Sequence, residues 1–84
     1  MELDLDAMRI PREIIALVPF ELAHAYRVVP VHRIAKKMVL ALANPEDEEA
    51  IAEVEAFTGL EVLATVATDR AVNNALWRYY RRAI

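Results

Sequence analysis

The hydrophobic pattern of residues 38–67 changes twice, and this change constrains the fold more than any other feature of the chain. Residues 38–43, MVLALA, are apolar at every position, which predicts a strand buried on both faces. Residues 61–67, EVLATVA, predict another strand, and the pattern between the two is helical. Two strands joined by a helix predict a parallel pair with a right-handed crossover.

The intervening helix is indicated by its apolar spacing and by the residues at its end. Ile51, Val54 and Phe57 lie three residues apart with acids at other positions, which predicts one apolar face. Thr58-Gly59 predicts the end of the helix, because Gly59 is the only glycine in the chain and glycine adopts a left-handed C-cap without strain.

Four consecutive acids, Glu46-Asp47-Glu48-Glu49, raise the question of a metal or acid–base site. Carboxylates that bind a metal must converge on one point, whereas consecutive helical residues point about 100° apart. We predict instead that Asn44 is the N-cap and Pro45 the first helical residue, with the acids in the first turn, where the helix dipole favours negative charge. The run therefore indicates a solvated helix start.

The first half of the chain predicts two short helices and one strand. Pro11 suits the first position of one helix, and a second helix is expected to start at Pro19. Residues 28–34, VVPVHRI, predict a strand, in which Pro30 favours an edge position because it has no N–H. A turn at residues 35–37 joins this strand to the next, and residues 1–9 predict a tether.

The last helix is predicted to run from Thr68, as its N-cap, to about Arg82. Its apolar face is expected to carry Val72, Ala75, Leu76, Tyr79 and Ala83. The complete pattern predicts a small α/β (α+β) domain of residues 10–84 with the order ααββαβα. Its mixed three-stranded sheet is covered by helices and has the second strand in the middle.

The composition argues against several kinds of functional site. The 84 residues include no cysteine, no serine and one glycine, so the chain lacks thiolate chemistry, a serine nucleophile and glycine-rich phosphate loops. His24 and His32 have no metal-ligand spacing. A net charge of −3 does not suit nucleic-acid binding. We predict no enzymatic activity, metal or cofactor.

The C-terminal residues 77–82, WRYYRR, permit two interpretations. Arginines in the last turn complement the helix dipole and Tyr79 belongs to the predicted apolar face, so packing and capping explain the segment. Trp, Tyr and Arg are also enriched in protein interfaces, and Trp77 and Tyr80 are expected to share a second flank of the helix. A partner surface is the alternative.

Several motifs, taken in order, resemble the N-terminal domain of the type II secretion and type IV pilus assembly ATPases. They are Pro19 before a helix ending at Tyr26, Pro30 in the next strand, Ala43-Asn44-Pro45 after the following strand, Thr58-Gly59 at a helix end, and Tyr79-Tyr80 in the last helix. The resemblance covers about residues 10–80. It rests on residues that shape the fold, so it identifies a fold family better than an activity.

The resemblance implies a non-catalytic interaction module. In that family the domain precedes the ATPase core and docks on the cytoplasmic domain of an inner-membrane component, recruiting a motor or signalling protein to the machine. The N-terminus lacks the basic and apolar regions of a secretory signal, and no apolar run could span a bilayer, which predicts a cytoplasmic domain held at the membrane through its partner. The predicted partner-binding residues are Glu48, Glu49, Glu53, Glu55, Trp77, Tyr80 and Arg81.

A sensor of a nucleotide second messenger is the alternative function. Some members of the family bind cyclic di-GMP through a longer version with paired Arg-Leu-Gly…Gly motifs, and arginines near the C-terminus of this chain could pair with phosphates. This chain carries no such paired motif, and its one glycine is assigned to a helix end.

Overall fold

The computed structural model describes residues 4–80 and confirms the predicted order of helices and strands. A short 3-10 turn at Leu5–Ala7 precedes them. The helices are α1 (Arg12–Ile15), α2 (Phe20–Tyr26), α3 (Glu48–Thr58) and α4 (Asp69–Tyr79), and the strands are β1 (Val28–Ile34), β2 (Lys37–Leu42) and β3 (Glu61–Val66). Together they form the predicted α+β domain.

The three strands form one mixed sheet in the order β1-β2-β3. β1 pairs antiparallel with β2, and β2 pairs parallel with β3. This confirms that β2 is central and that the proline-bearing strand lies at an edge. The register of the antiparallel pair shifts between Pro30 and His32, where the proline cannot donate a ladder hydrogen bond.

The two faces of the sheet differ in how far they are covered. The register places Met38, Leu40 and Leu42 on one face, where all three side chains are buried. On the opposite face Ala41 is buried, but Leu63 is 42% exposed. Burial on both sides of β2 was predicted, and it holds at the end of the strand near Ala41.

The N-terminal segment is packed, in contrast to the tether that the sequence predicted. Leu5 is fully buried. The Tyr79 hydroxyl donates to the Met8 carbonyl at 3.0 Å and accepts from the Ile10 N–H at 3.1 Å, while the Arg78 guanidinium donates to the Asp6 carbonyl at 3.2 Å. Irregular backbone without apolar periodicity is thus anchored by the last turn of α4. Residues 1–3 lie outside the described part, and the boundary at residue 10 stays a prediction.

The start of α3 lies later than predicted. Asp47, and not Asn44, is the N-cap: its carboxylate accepts from the Ala50 N–H at 3.1 Å. The Asn44 side chain instead accepts from the Glu46 N–H in the preceding turn. Both are good capping residues, and the turn that Asn44 and Pro45 form delays the helix by three residues. The predicted end is confirmed, with Gly59 at φ 73°.

Two aromatic side chains occupy environments opposite to those predicted. Phe57, expected on the buried face of α3, is 62% exposed, whereas Val54 is fully buried and Ile51 is partly buried. Tyr80, expected on an exposed flank of α4 beside Trp77, is only 8% exposed. The rest of the α4 face is confirmed at Val72, Ala75 and Leu76, while residues 81–84, including the predicted Ala83, lie outside the described part.

Candidate functional site

The candidate site lies between α2 and α3, which both contribute side chains to one groove. Tyr26, the last residue of α2, donates its hydroxyl hydrogen to Glu49 in the first turn of α3 at 3.3 Å. Earlier residues of α2 and later residues of α3 then form the walls of an open groove of about 500 Å³. Its lining residues are Pro19, Glu21, Leu22, Ala25, Glu53, Ala56 and Phe57.

The groove combines an apolar surface with carboxylates. Leu22 and Ala25 of α2 and Phe57 of α3 supply its apolar part, and Glu21 and Glu53 supply one carboxylate from each helix. Among the described residues that line the groove, none is basic. Such a surface can hold apolar side chains while attracting positive charge.

The four acids predicted to bind a partner fall into two groups around α3. Glu49 and Glu53, four residues apart, lie about 40° apart around the helix axis and face the α2 side. Glu48 and Glu55 lie on another flank. Glu55 is partly buried and accepts from the Val62 N–H at 2.9 Å, so it fixes the start of β3. Only Glu53 among the four lines the groove.

The predicted C-terminal surface is not assembled as expected. Trp77 is 67% exposed, but the Tyr80 hydroxyl points inward and donates to the carbonyls of Val18 at 2.8 Å and Ile15 at 3.2 Å. The Tyr80 ring also lies 6.1 Å from the Phe20 ring. Because Tyr80 is buried, it cannot share an exposed partner surface with Trp77. Arg81 lies outside the described residues.

Tyr26, beside the groove, and Tyr80, at the end of α4, both have raised pKa values. Partial desolvation raises the pKa of the Tyr26 phenol, and the carboxylates of Glu49, Glu53 and Asp47 raise it further. The part of the pKa shift that these carboxylates cause reflects the negative potential on this side of α3. The pKa of Tyr80 is raised by burial alone, which matches its place in the core.

The described part of the chain contains neither a cluster of metal-ligating side chains nor a membrane-spanning helix. Within residues 4–80, no three His, Cys, Asp or Glu side chains come together as a possible metal site. His24 stacks on Phe20 with ring centroids 5.3 Å apart, and His32 is exposed on β1. None of the helices described is both long and apolar enough to cross a membrane.

Sequence reasoning missed the contribution of α2 to this groove. From the sequence, α2 was expected only as a short helix starting at Pro19, and Phe57 was expected on the apolar face of α3. The signal that could have found the groove is the row formed by Glu49, Glu53 and Phe57 at four-residue spacing, because such a row lies on one side of a helix. An aromatic residue aligned with two acids belongs to a surface.

Comparisons with known proteins agree with the resemblance found in the sequence. A family model described as the MshEN domain matches residues 2–84. The type IV pilus assembly ATPase PilB of Myxococcus xanthus is 34% identical over 68 residues, which is 81% of this chain and 12% of PilB. The chain thus spans only a small part of this curated relative.

Two solved structures are similar in fold. A structure of MshE with cdg matches with a TM-score of 0.85 and 19% identity, covering 94% of this chain and 58% of that one. The N-terminal domain of XpsE matches with a TM-score of 0.81 and 22% identity, covering 94% and 56%. The family match, the PilB relationship and these folds lead to one conclusion: the chain belongs to the MshEN domain family, the N-terminal domains of secretion and pilus ATPases.

Proposed function

We propose that this domain is a non-catalytic docking module that binds the cytoplasmic domain of an inner-membrane component of a secretion or pilus machine. Binding would recruit an attached or associated motor or signalling protein to that machine. The observation that carries the proposal is the groove between α2 and α3, in which Phe57 is 62% exposed beside Leu22 and Ala25. An exposed aromatic side chain in a groove is a typical interface anchor.

Two further observations support a docking role. The MshEN family and the PilB relative place this type of domain in ATPases, while the chain has one glycine, at the C-cap of α3, and therefore no phosphate-binding loop. Motor activity would then have to come from another domain or another protein. Glu49 and Glu53, on the α2 side of α3, are the acids retained as proposed partner contacts. Glu48 lies on another flank of α3 and Trp77 lies on α4, so neither belongs to the proposed docking surface.

Direct binding to a purified partner domain tests the proposal. The labelled chain is titrated with the cytoplasmic domain of the inner-membrane component of the same machine. We expect saturable binding, which Phe57→Ala weakens by roughly tenfold because a buried interface aromatic contributes on the order of 1–2 kcal/mol. Leu63→Ala, which removes an exposed apolar side chain from the sheet, is the matched control. Absence of binding by the wild-type chain would refute the docking role.

A second candidate function is the sensing of a nucleotide second messenger. It is favoured by the likeness to MshE, solved with cdg, and by the arginines near the C-terminus. Arg78 is engaged with the Asp6 carbonyl and lies over the Tyr79 ring, so a phosphate would have to compete for it. Calorimetric titration with cyclic di-GMP, ATP and GTP separates the functions: saturable heat with any of them supports the sensor, and no heat at high micromolar concentration removes it.

A further inference from the structure

We infer that the groove between α2 and α3 binds an amphipathic segment of the protein partner, in which apolar anchor side chains are flanked by Lys or Arg. This inference rests on the proposed docking function and deepens it, because it assigns both the surface and the chemistry of the segment that occupies it. The geometry of the groove, its charge and the character of the other exposed surfaces each contribute to the assignment.

The geometry suits a short helical or extended segment. Two neighbouring helices leave a trough between their exposed sides, and an amphipathic segment in such a trough buries side chains spaced by three or four residues. Leu22 and Ala25 are three residues apart on α2, and Glu53 and Phe57 are four apart on α3, so each wall repeats at the helical period. Phe57 supplies the largest apolar contact.

The charge of the groove selects a basic partner. Glu53 and Glu21 lie on opposite walls, and Glu49 continues the α3 row beyond the groove toward Tyr26. A cation on the bound segment would lie between carboxylates, while an acidic segment would meet repulsion from both walls. The raised pKa of Tyr26, caused in part by Glu49 and Glu53, is consistent with this negative potential.

The other exposed apolar side chains do not offer a comparable surface. Ile34 and Leu63 lie on the open face of the sheet, but Lys37 and Glu61 pair across the same face and place both signs of charge beside them. Trp77 is exposed next to Arg78 on α4. Only the α2–α3 groove, among the surfaces described, combines apolar walls with charge of one sign.

A synthetic peptide pair tests the inference. The probe is a fluorescein-labelled peptide of fourteen residues with leucines at positions i, i+3, i+4 and i+7 and lysines on both flanks. Its control has the same leucines but glutamates in place of lysines. Fluorescence anisotropy with the wild-type chain at low salt is expected to show binding of the lysine peptide and at least about tenfold weaker binding of the glutamate peptide.

Matched substitutions separate the groove from general electrostatics. Glu53→Lys and Phe57→Ala are each expected to weaken lysine-peptide binding by about tenfold or more. Glu48→Lys changes the net charge by the same amount on another flank of α3, and Trp77→Ala removes an exposed aromatic elsewhere; both are expected to leave the affinity within about twofold. Circular dichroism of each variant confirms that it is folded.

Several results would overturn the inference. These are no binding of the lysine peptide, equal losses for Glu48→Lys and Glu53→Lys, or no loss for Phe57→Ala. Self-association of the wild-type chain in sedimentation that Phe57→Ala abolishes would assign the groove to a second copy and also overturn it. If the inner-membrane domain still binds the wild-type chain in any of these cases, the inference fails alone and the docking function stands.

Discussion

Helices α3 and α4 begin alike and end differently. Each has eleven residues, and each is capped by the side chain of the residue before it. Asp47 caps α3 and Thr68 caps α4, and each side chain accepts a hydrogen bond from the backbone N–H three residues later. α3 ends at Gly59 with the nearby Phe57 exposed, whereas α4 ends at Tyr80, which is buried. Two helices with similar starts therefore differ at their ends: the end of α4 packs into the core, whereas the end of α3 leaves an aromatic side chain on the surface.

The difference lies in what each aromatic side chain meets. The Tyr80 hydroxyl reaches two carbonyls at the end of α1 and in the loop after it, so burial leaves no polar atom without a partner. Phe57 projects into the groove beside α2, where no further helix or strand of the described chain covers it. Tyr80 therefore stabilises the fold, and Phe57 is available to a partner.

The largest expected effect is the loss of stability on truncating Tyr80. Tyr80→Ala is expected to lower the free energy of unfolding by about 3–4 kcal/mol, because a buried aromatic ring is replaced by a cavity. Phe57→Ala is expected to change it by less than about 0.5 kcal/mol, as exposed substitutions usually do. Urea unfolding followed by circular dichroism measures both. Equal losses of unfolding free energy in the two variants would contradict the proposed difference between Tyr80 and Phe57.

The second prediction concerns stability at high pH. Burial raises the pKa of Tyr80 above its ordinary value of 10.0, so the unfolded chain loses this proton at lower pH than the folded one. The stabilisation from Tyr80 is thus fully present below about pH 10. It is lost as the pH rises toward the higher pKa of the folded state, by at most about 1.4 kcal/mol per pH unit.

Tyr80→Phe tests this pH dependence. The decline in unfolding free energy between pH 9 and pH 11 is expected to be smaller in Tyr80→Phe than in the wild-type chain, because phenylalanine has no proton to lose. Tyr26→Phe serves as a second variant, since the pKa of Tyr26 is also raised but this residue lies at the edge of the groove. An unchanged slope in Tyr80→Phe would show that its hydroxyl is not buried.

Losses of stability smaller than that of Tyr80→Ala test the similarity of the two helix starts. Asp47→Ala and Thr68→Ala each remove one side-chain cap and are each expected to cost about 1 kcal/mol. Urea midpoints compare them directly. A cost for Asp47→Ala near zero, with Asn44→Ala costing more, would restore the earlier helix start that the sequence predicted and would contradict the cap at Asp47.

Features fixed by local chemistry were predictable from the sequence. Residues 28–34 form the predicted strand, Pro30 lies at the sheet edge because it lacks an N–H, and Gly59 ends α3 in the left-handed conformation. Thr68 likewise caps α4 as predicted. Each of these outcomes depends on one residue and its neighbours in the chain, so no knowledge of the rest of the molecule was needed.

Features fixed by tertiary contacts were not predictable in the same way. Tyr80 is buried because carbonyls more than sixty residues earlier in the chain accept its hydroxyl hydrogen, and Leu5 is buried in a segment that the last turn of α4 anchors. The groove needs α2 and α3 side by side, which no pattern within either helix states. Helical periodicity predicted which side of a helix is apolar, but not which other helix or strand lies beside it.

An NMR map of the bound domain tests the central claim most directly, namely that the α2–α3 groove is the partner surface while the end of α4 belongs to the fold. The 15N-labelled chain is titrated with the cytoplasmic domain of the inner-membrane component. The largest amide shift changes are expected in residues 19–25 and 53–57, with small changes in residues 69–80. Large changes confined to residues 69–80, with the groove unperturbed, would contradict it.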